Sequence, residues 1–244
     1  LLASINAQLQ QQSLMIKAAT GAVIDATLIE SAARPNKTII VETDQDGQAI
    51  TFDDGSSPGI SCTEETSVDG DAAGVKKGKK SHYGYRSYVT VEETEGYLCG
   101  VHTAPANESE TTHFIPAIDK THINHTRVYV DKGYASAKNR SHLRQGKIKS
   151  AIMHKGQRNK PLSKRQIEAN KLISRRRYII EQCFGTAKQL FNMARASYIS
   201  TTKVNAQVIK KNICMNLLNA TKKILISDVA KGENRRKKMT FIAQ

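Results

Sequence analysis

The amino-acid sequence predicts a mixed α/β domain, in which one mixed sheet is flanked by helices and interrupted by an acidic loop insertion. Three observations predict this class. An alternating pair of segments at 83–91 and 97–103 is typical of a β-hairpin, two later apolar segments alternate with helical ones, and the chain is helical in pattern from residue 163 onward. Hairpin strands are antiparallel, whereas strands linked through helices are parallel.

The first strand is predicted at residues 21–30, where the sequence GAVIDATLIE is apolar, β-branched and opened by a glycine. Residues 1–20 resemble the tail of a helix, and we interpret them as the remnant of an N-terminal helical region. Because the chain begins with Leu rather than Met, we expect the native N-terminus to lie upstream.

An acidic segment follows the first strand. Residues 42–71 hold nine acidic residues and no Lys or Arg, among many Gly, Ser and Asp residues. Such a composition can bury little apolar surface. We therefore predict a flexible insertion over residues 42–80, closed by the sequence KKGKK.

The hairpin after the insertion has Gly96 in its turn. The next predicted elements are a helix at 108–119, a strand at 127–131, a helix near 136–145 and a strand at 148–153. Right-handed crossovers would place the strand at 127–131 beside the first strand. From Ser163 the pattern is helical to about Ile226, with a break near 198–202, and residues 227–244 form a basic tail. The domain is thus assigned to residues 21–226.

The charge of the chain is uneven. The net charge is +15, and residues 120–244 hold 29 Lys or Arg against 5 Asp or Glu, whereas residues 1–119 hold 8 against 17. A carboxyl half this basic suits a polyanion, because binding releases counterions from phosphates. Basic surface that only confers solubility is the alternative. No apolar run is long enough to cross a membrane, and four scattered cysteines favour a reducing cytoplasm.

Two acidic residues lie where strands offer ligands. Asp25 is in the middle of the apolar strand VIDATLI, where an ionised carboxylate is costly unless a cation compensates it. Asp131 ends the second apolar strand, at the edge where open α/β sheets bind ligands. If the strands are neighbours, both carboxylates project from one edge, and such hard ligands suit Mg²⁺ or Mn²⁺. The alternative to a metal site is that both residues are structural: Asp25 would be a hydrogen-bonded strand residue and Asp131 an ordinary turn residue.

A third carboxylate is expected from the helix that follows Ser163. Between Ser163 and Ala194 only Glu168 and Glu181 are acidic. The polar residues within about 40° of Glu181 on a helical projection include Ser174, Arg177 and Lys188. An adjoining apolar stripe, formed by Ile173, Ile180, Phe184, Ala187 and Phe191, can dock on the sheet. Glu181 could then bind metal, although an ordinary ion pair with Arg177 is the alternative.

Four segments of the chain resemble segments of a known family. These segments are VIDATLIESA, KKGKKSHYGYRSYVTV, HTAPANESE and VYVDKGYAS. Over roughly residues 15–225 the chain resembles bacterial insertion-sequence transposases of the insertion-sequence-four and insertion-sequence-five type, with a DDE domain. Their last catalytic helix carries Tyr-x2-Arg-x3-Glu-x6-Lys. The chain has Arg177, Glu181 and Lys188 in register, with Ser174 at the Tyr position.

The resemblance implies a ribonuclease-H-like fold and a transposase that cuts and joins strands of double-stranded DNA. It implies Asp25, Asp131 and Glu181 as catalytic ligands of two Mg²⁺ or Mn²⁺ ions. The residues expected to contact DNA are Arg177, Lys188, Ser174 and Lys132. A homodimer in the bacterial cytoplasm, associated with the nucleoid, and no membrane partner are expected.

Other interpretations remain open at this stage. The replacement of the family's Tyr by Ser174, and the reduced N-terminal region, are compatible with a catalytically inactive or domesticated DNA-binding protein. A nuclease of the same fold would cut without joining. His122 and His125 resemble a metal-binding pair, but no Cys or further His lies at a spacing suitable for zinc.

Overall fold

One mixed sheet organises the chain in the computed structural model, which describes residues 1–15, 21–35, 37–43, 59–121 and 126–242. The helices are α1 (Leu2–Gln11), α2 (Glu110–Asp119), α3 (Ala137–Gln145), α4 (Lys164–Leu190) and α5 (Thr201–Ile242). The strands are β1 (Ala22–Glu30), β2 (Lys37–Thr43), β3 (Gly59–Glu65), β4 (Ala73–Lys77), β5 (Lys80–Glu92), β6 (Leu98–Pro105), β7 (Arg127–Val130) and β8 (Lys149–Ile152). The predicted mixed sheet flanked by helices is confirmed.

The main sheet has six strands in the order β4-β5-β1-β7-β8, and β6 also pairs with β5. The pairs of β5 with β1, β4 and β6 are antiparallel, and the β5–β6 pair is the hairpin that the sequence predicts. The glycine at the hairpin turn, Gly96, has φ +77°, a conformation that other residues rarely adopt. The pairs β1–β7 and β7–β8 are parallel, so the predicted placement of the second apolar strand beside the first is confirmed.

Each face of the sheet is covered by different helices. On one face, Val23 and Tyr129 belong to the same buried cluster as Ile180 of α4. On the other face, Ile24 packs in a cluster with Phe114 of α2 and with α3. Neighbouring residues of β1 therefore face opposite sides, and burial on both sides explains why this strand reads as a continuous apolar run.

The prediction of a flexible loop over 42–80 is wrong in part. Strands β2 and β3 pair antiparallel as a separate two-stranded sheet, and β4 pairs with β5. The composition argument concerned side-chain burial only, whereas strand pairing satisfies backbone hydrogen bonds without a core on both faces. Residues 44–58 lie outside the described residues, as do His122 and His125.

The helical C-terminal part also differs from prediction. Its break spans residues 191–200 instead of 198–202, and α5 continues to Ile242 beyond the expected end near Ile226. The segment after Ile226 is rich in Lys, Arg, Glu and Met, which have high helix propensity. Their summed propensity outweighs the cost of the single Gly232. In the part of the chain that the structure describes, no helix has the length and apolarity to span a bilayer.

Two buried asparagines join the first and last helices to β6. Asn6 of α1 donates from Nδ2 to the Leu98 carbonyl at 2.9 Å. Asn216 of α5 donates to the same carbonyl at 2.8 Å and accepts from the Leu98 N–H at 2.9 Å. It also donates to Oδ1 of Asn6 at 2.8 Å. Because these groups are buried and paired, they fix α1 in one position against the sheet.

A chain of polar side chains links β6 to α2. The Lys120 ammonium donates to Nδ1 of His102 at 2.9 Å. Nε2 of His102 lies 2.9 Å from Nδ1 of His113, whose other nitrogen contacts the Glu108 carboxylate. The ring of Tyr88 stacks on both imidazoles. Burial, together with the charges of Lys120 and His113, lowers the pKa of His102 to about 4.

We expect the free energy of unfolding to decrease as the pH falls from about 6.5 to about 4. In this window the unfolded chain binds a proton at His102 and the folded chain does not, so acidification favours unfolding. The substitution His102→Gln removes the titrating ring and should flatten this part of the profile. Urea unfolding at several pH values measures the effect, with His142→Gln at the surface as a control. Parallel profiles for wild type and His102→Gln would contradict the expectation.

Candidate active site

The parallel pairing of β1 and β7 brings two predicted site residues together. Val23 pairs with Tyr129, so Asp25 and Asp131, each two residues further along, lie next to each other on the face that α4 covers. Asp131 directly follows β7 and precedes the 3₁₀ turn Lys132–Tyr134. The side chains of Asp25 and Asp131 are 20% and 35% exposed. Both carboxylates can therefore be reached from solvent at one end of the sheet.

Arg177 of α4 connects the two aspartates. Its Nη2 lies 2.6 Å from Oδ2 of Asp25, and its Nη1 lies 3.6 Å from Oδ1 of Asp131. The Arg177 side chain is only 12% exposed, and its Nη1 also contacts the Met153 sulfur at 3.8 Å. Sequence analysis assigned Arg177 to DNA. In this structure it supplies the positive charge between the two carboxylates.

The electrostatic environment of Asp25 disfavours its charge. Burial raises the pKa of the Asp25 carboxyl, and the charge of Asp131 contributes in the same direction. Arg177 and the Ala26 N–H, which donates to Asp25 at 2.9 Å, act in the opposite direction without cancelling the effect of burial. One arginine thus leaves this pair incompletely compensated, and additional positive charge at the site would be stabilised.

Sequence analysis missed a third carboxylate near this pair. Glu110 is the first residue of α2, and its Oε1 lies 3.4 Å from Nη1 of Arg86. Burial raises the pKa of Glu110, and the charges of Asp25 and Asp131 add to the rise while Arg86 opposes it. A Cβ added at Gly133 would meet Oε2 of Glu110, so a larger residue there would displace the end of the Glu110 side chain. A glutamate in a first helical turn has an ordinary dipole explanation, which made it inconspicuous in the sequence.

Helix α4 begins with a capping box formed by Ser163 and Gln166. Its buried residues are Ile173, Ile180, Cys183 and Ala187. Ile173, Ile180 and Ala187 belong to the predicted stripe, but Cys183 was not expected there, and Phe184 is only half-buried. The helix is therefore rotated on the sheet towards Cys183.

Glu181 stands apart from the two aspartates. It is exposed and lies one turn beyond Arg177, in a shallow pocket that Ser174 and Tyr178 also line. Among the described residues, no three His, Cys, Asp or Glu side chains are close enough to hold one metal ion. The structure thus brings together Asp25 and Asp131 and leaves the third predicted ligand outside.

The remaining predicted DNA contacts are surface residues. Lys132 follows Asp131 and is exposed. Ser174 is exposed beside Glu181, and Lys188 is exposed in the last turn of α4. All three side chains are accessible to a large ligand.

Comparisons with known proteins identify the family of the chain. Residues 18–217 match the family model described as the transposase DDE domain. A relative, the transposase for insertion sequence element IS1106 of Neisseria meningitidis serogroup B, is 38% identical over 224 residues, which cover 92% of this chain and 73% of that protein. The chain therefore belongs to the transposase DDE domain family.

Proposed function

We propose that the chain is the transposase of an insertion sequence, which cuts DNA strands and transfers them in a reaction dependent on divalent metal ions. The observation that carries the proposal is the placement of Asp25 and Asp131 on neighbouring parallel strands of a family member. We assign residues 21–226 to a ribonuclease-H-like domain, which the mixed sheet with helices on both faces supports. Residues 1–20 would form a helical region that precedes this domain, and residues 227–244 would form the basic tail.

The two aspartates fit part of a metal site of the expected kind. Asp25 and Asp131 converge on one cationic group, Arg177, so two carboxylates share a single positive charge. We propose that Asp25, Asp131 and Glu181 hold Mg²⁺ or Mn²⁺, two ions in all. Bound ions would activate the attacking hydroxyl and stabilise the leaving oxygen of a phosphodiester. Glu181 is exposed, and a side chain of its length has several rotamers through which it could complete the set.

The protein's own contribution is to hold these carboxylates rigidly. Strand pairing fixes Asp25, and the turn after Asp131 is held by Thr111, whose hydroxyl donates to the Gly133 carbonyl at 3.0 Å. The side chain of Asn139 also donates to the Tyr134 carbonyl at 3.0 Å. Preorganised charge of this kind needs little rearrangement during reaction.

Substrate contacts are proposed for Lys132, Ser174, Arg177 and Lys188. These residues lie near the aspartates or on the same helix as Glu181, and cationic side chains there would bind phosphates of double-stranded DNA. Ser174 offers a hydroxyl in place of an aromatic ring. We further propose a homodimer that acts on paired ends in the bacterial cytoplasm, at the nucleoid.

An assay with duplex DNA that carries the ends of the element encoding this chain tests the proposal. We expect strand cleavage that leaves a 3′-hydroxyl, followed by joining of that end to a target plasmid. Both products should require Mg²⁺ or Mn²⁺ and disappear with EDTA. Gel electrophoresis and sequencing of the junctions measure them.

The two other interpretations predict different products. Cleavage without joined DNA would identify a nuclease and overturn the transfer step. DNA binding without either product would identify a catalytically inactive derivative, an interpretation that the position of Glu181 outside the aspartate pair favours.

A further inference from the structure

A basic groove lies along β8, the last strand of the main sheet among the described residues. It has a volume of about 770 Å³ and is bounded by β7, β8, the segment after β8, α3 and the first half of α4. Its cationic or titratable basic residues are Arg127, Arg140, Lys149, His154, Arg175 and Arg176. Within the part of the chain that the structure describes, no carboxylate lines it. We call this feature the β8 groove.

The charges of the β8 groove are not neutralised within the described protein. None of its six basic residues forms an ion pair with a carboxylate of the described residues. Arg127, Lys149, Arg175 and Arg176 are exposed. Like charges on neighbouring elements repel one another, so the cluster gains most from an anionic ligand that contacts several of them at once.

The walls of the β8 groove are held in place by hydrogen bonds. Nη2 of Arg140 in α3 donates to the Ile152 carbonyl at 3.3 Å. On the opposite side, the Asn170 side chain of α4 accepts from the His154 N–H at 2.8 Å and donates to its carbonyl at 3.0 Å. The shape of the groove is therefore fixed by contacts between β8 and the two helices.

The β8 groove is formed by the same strand and helix that carry parts of the candidate active site. Arg127, Tyr129 and Asp131 share one face of β7 and its extension, and Lys149 pairs with Arg127 on the same face. Asp131 lies four positions after Arg127, which corresponds to about 13 Å of extended chain. On α4, Arg176 lines the groove while the next residue, Arg177, contacts both aspartates.

We propose that the β8 groove binds the phosphate backbone of duplex DNA and directs it towards Asp25 and Asp131. The inference rests on the proposed function, since it takes DNA as the ligand. Cations on an edge strand can also serve to prevent aggregation, which would explain Lys149. That explanation does not extend to Arg140 on α3 and Arg176 on α4, which converge from helices on opposite faces of the sheet.

The double substitution Lys149→Gln with Arg176→Gln tests the groove. Wild type and variant are titrated, in EDTA, into a fluorescent 30-base-pair duplex of arbitrary sequence between about 50 and 300 mM KCl. Loss of two phosphate contacts should reduce the slope of log affinity against log salt by about 2 and weaken binding roughly 10-fold or more at 0.1 M salt. The control, Lys203→Gln with Lys210→Gln on α5, removes the same charge from exposed positions and should keep the wild-type slope.

Thermal unfolding checks that each variant is folded, and Arg127→Gln with Arg175→Gln is a second groove pair. Equal slopes for the groove and control variants would overturn the inference, as would a wild type that does not bind the duplex. Because this binding assay contains no metal, it is independent of cleavage. If the wild type cuts the ends of its element but the groove variants bind DNA normally, only the groove proposal is refuted. If the groove variants bind DNA more weakly but the wild type does not cut, only the proposed reaction is refuted.

Discussion

Replacing Asp131 with Asn is expected to reduce metal-dependent DNA cleavage by at least about a thousandfold, the effect of losing roughly 4 kcal/mol of transition-state stabilisation. Asn has nearly the same shape as Asp, but it lacks the charge that a divalent ion requires. Asp25→Asn should have a similar effect, since the two carboxylates lie side by side on β1 and after β7. Single-turnover cleavage of duplex DNA with Mg²⁺ measures both.

Asp119→Asn is the matched control for these substitutions. Asp119 is a surface carboxylate whose partner is His142, and an exposed pair of this kind contributes little to stability. We expect its cleavage rate to equal that of wild type. DNA affinity in EDTA should be unchanged or increased in Asp131→Asn, because a negative charge is removed near the phosphates. Wild-type cleavage by either Asp25→Asn or Asp131→Asn would refute their assignment.

Glu181→Gln is expected to reduce cleavage by at least about a hundredfold, if this side chain completes the metal site during the reaction. The substitution should not change folding, because Glu181 is exposed and the buried face of α4 is unaltered. Single-turnover rates at increasing Mn²⁺ concentration would separate weaker metal binding from a slower chemical step.

The same helix offers a matched control, Glu168→Gln. Glu168 is also exposed, but it lies in the second turn of α4, more than three turns from Glu181. The control should cut DNA at the wild-type rate. If Glu181→Gln and Glu168→Gln had the same rate as wild type, Glu181 would not be the third ligand, and Glu110 would be the next candidate because it already lies near both aspartates.

The sequence predicted the part of the site that depends on strand order. Asp25 and Asp131 occur in apolar strands that are easy to recognise, and the handedness of crossovers is enough to make those strands neighbours. Strand β4 was missed because it is short and polar and lacks apolar alternation. Pairing of such a strand depends on its hydrogen bonds with β5, which the pattern of its own residues does not show.

The position of α4 shows why the rest of the site was harder to predict. A helical projection places Arg177 and Glu181 only about 40° apart, so a rotation of the helix by a few tens of degrees decides which of them meets the aspartates. The predicted stripe included Phe184, whereas the structure buries Cys183 and leaves Phe184 half-buried. That rotation brings Arg177 to the carboxylates and carries Glu181 outward. Packing of α4 against the sheet determines this rotation, and the pattern of apolar residues in one helix does not specify it to within a few tens of degrees.

Because Asn6 and Asn216 both contact Leu98, the stability of α5 against β6 depends on α1. Removing the first eleven residues would leave the Asn216 N–H that donates to Asn6 without its acceptor, at a cost of about 1–3 kcal/mol for a buried group. The same deletion would uncover Tyr97 and Cys99, which pack with Leu9. Helix α1 thus stabilises β6. A protein that lacks α1 would be less stable at the edge of the sheet opposite the β8 groove.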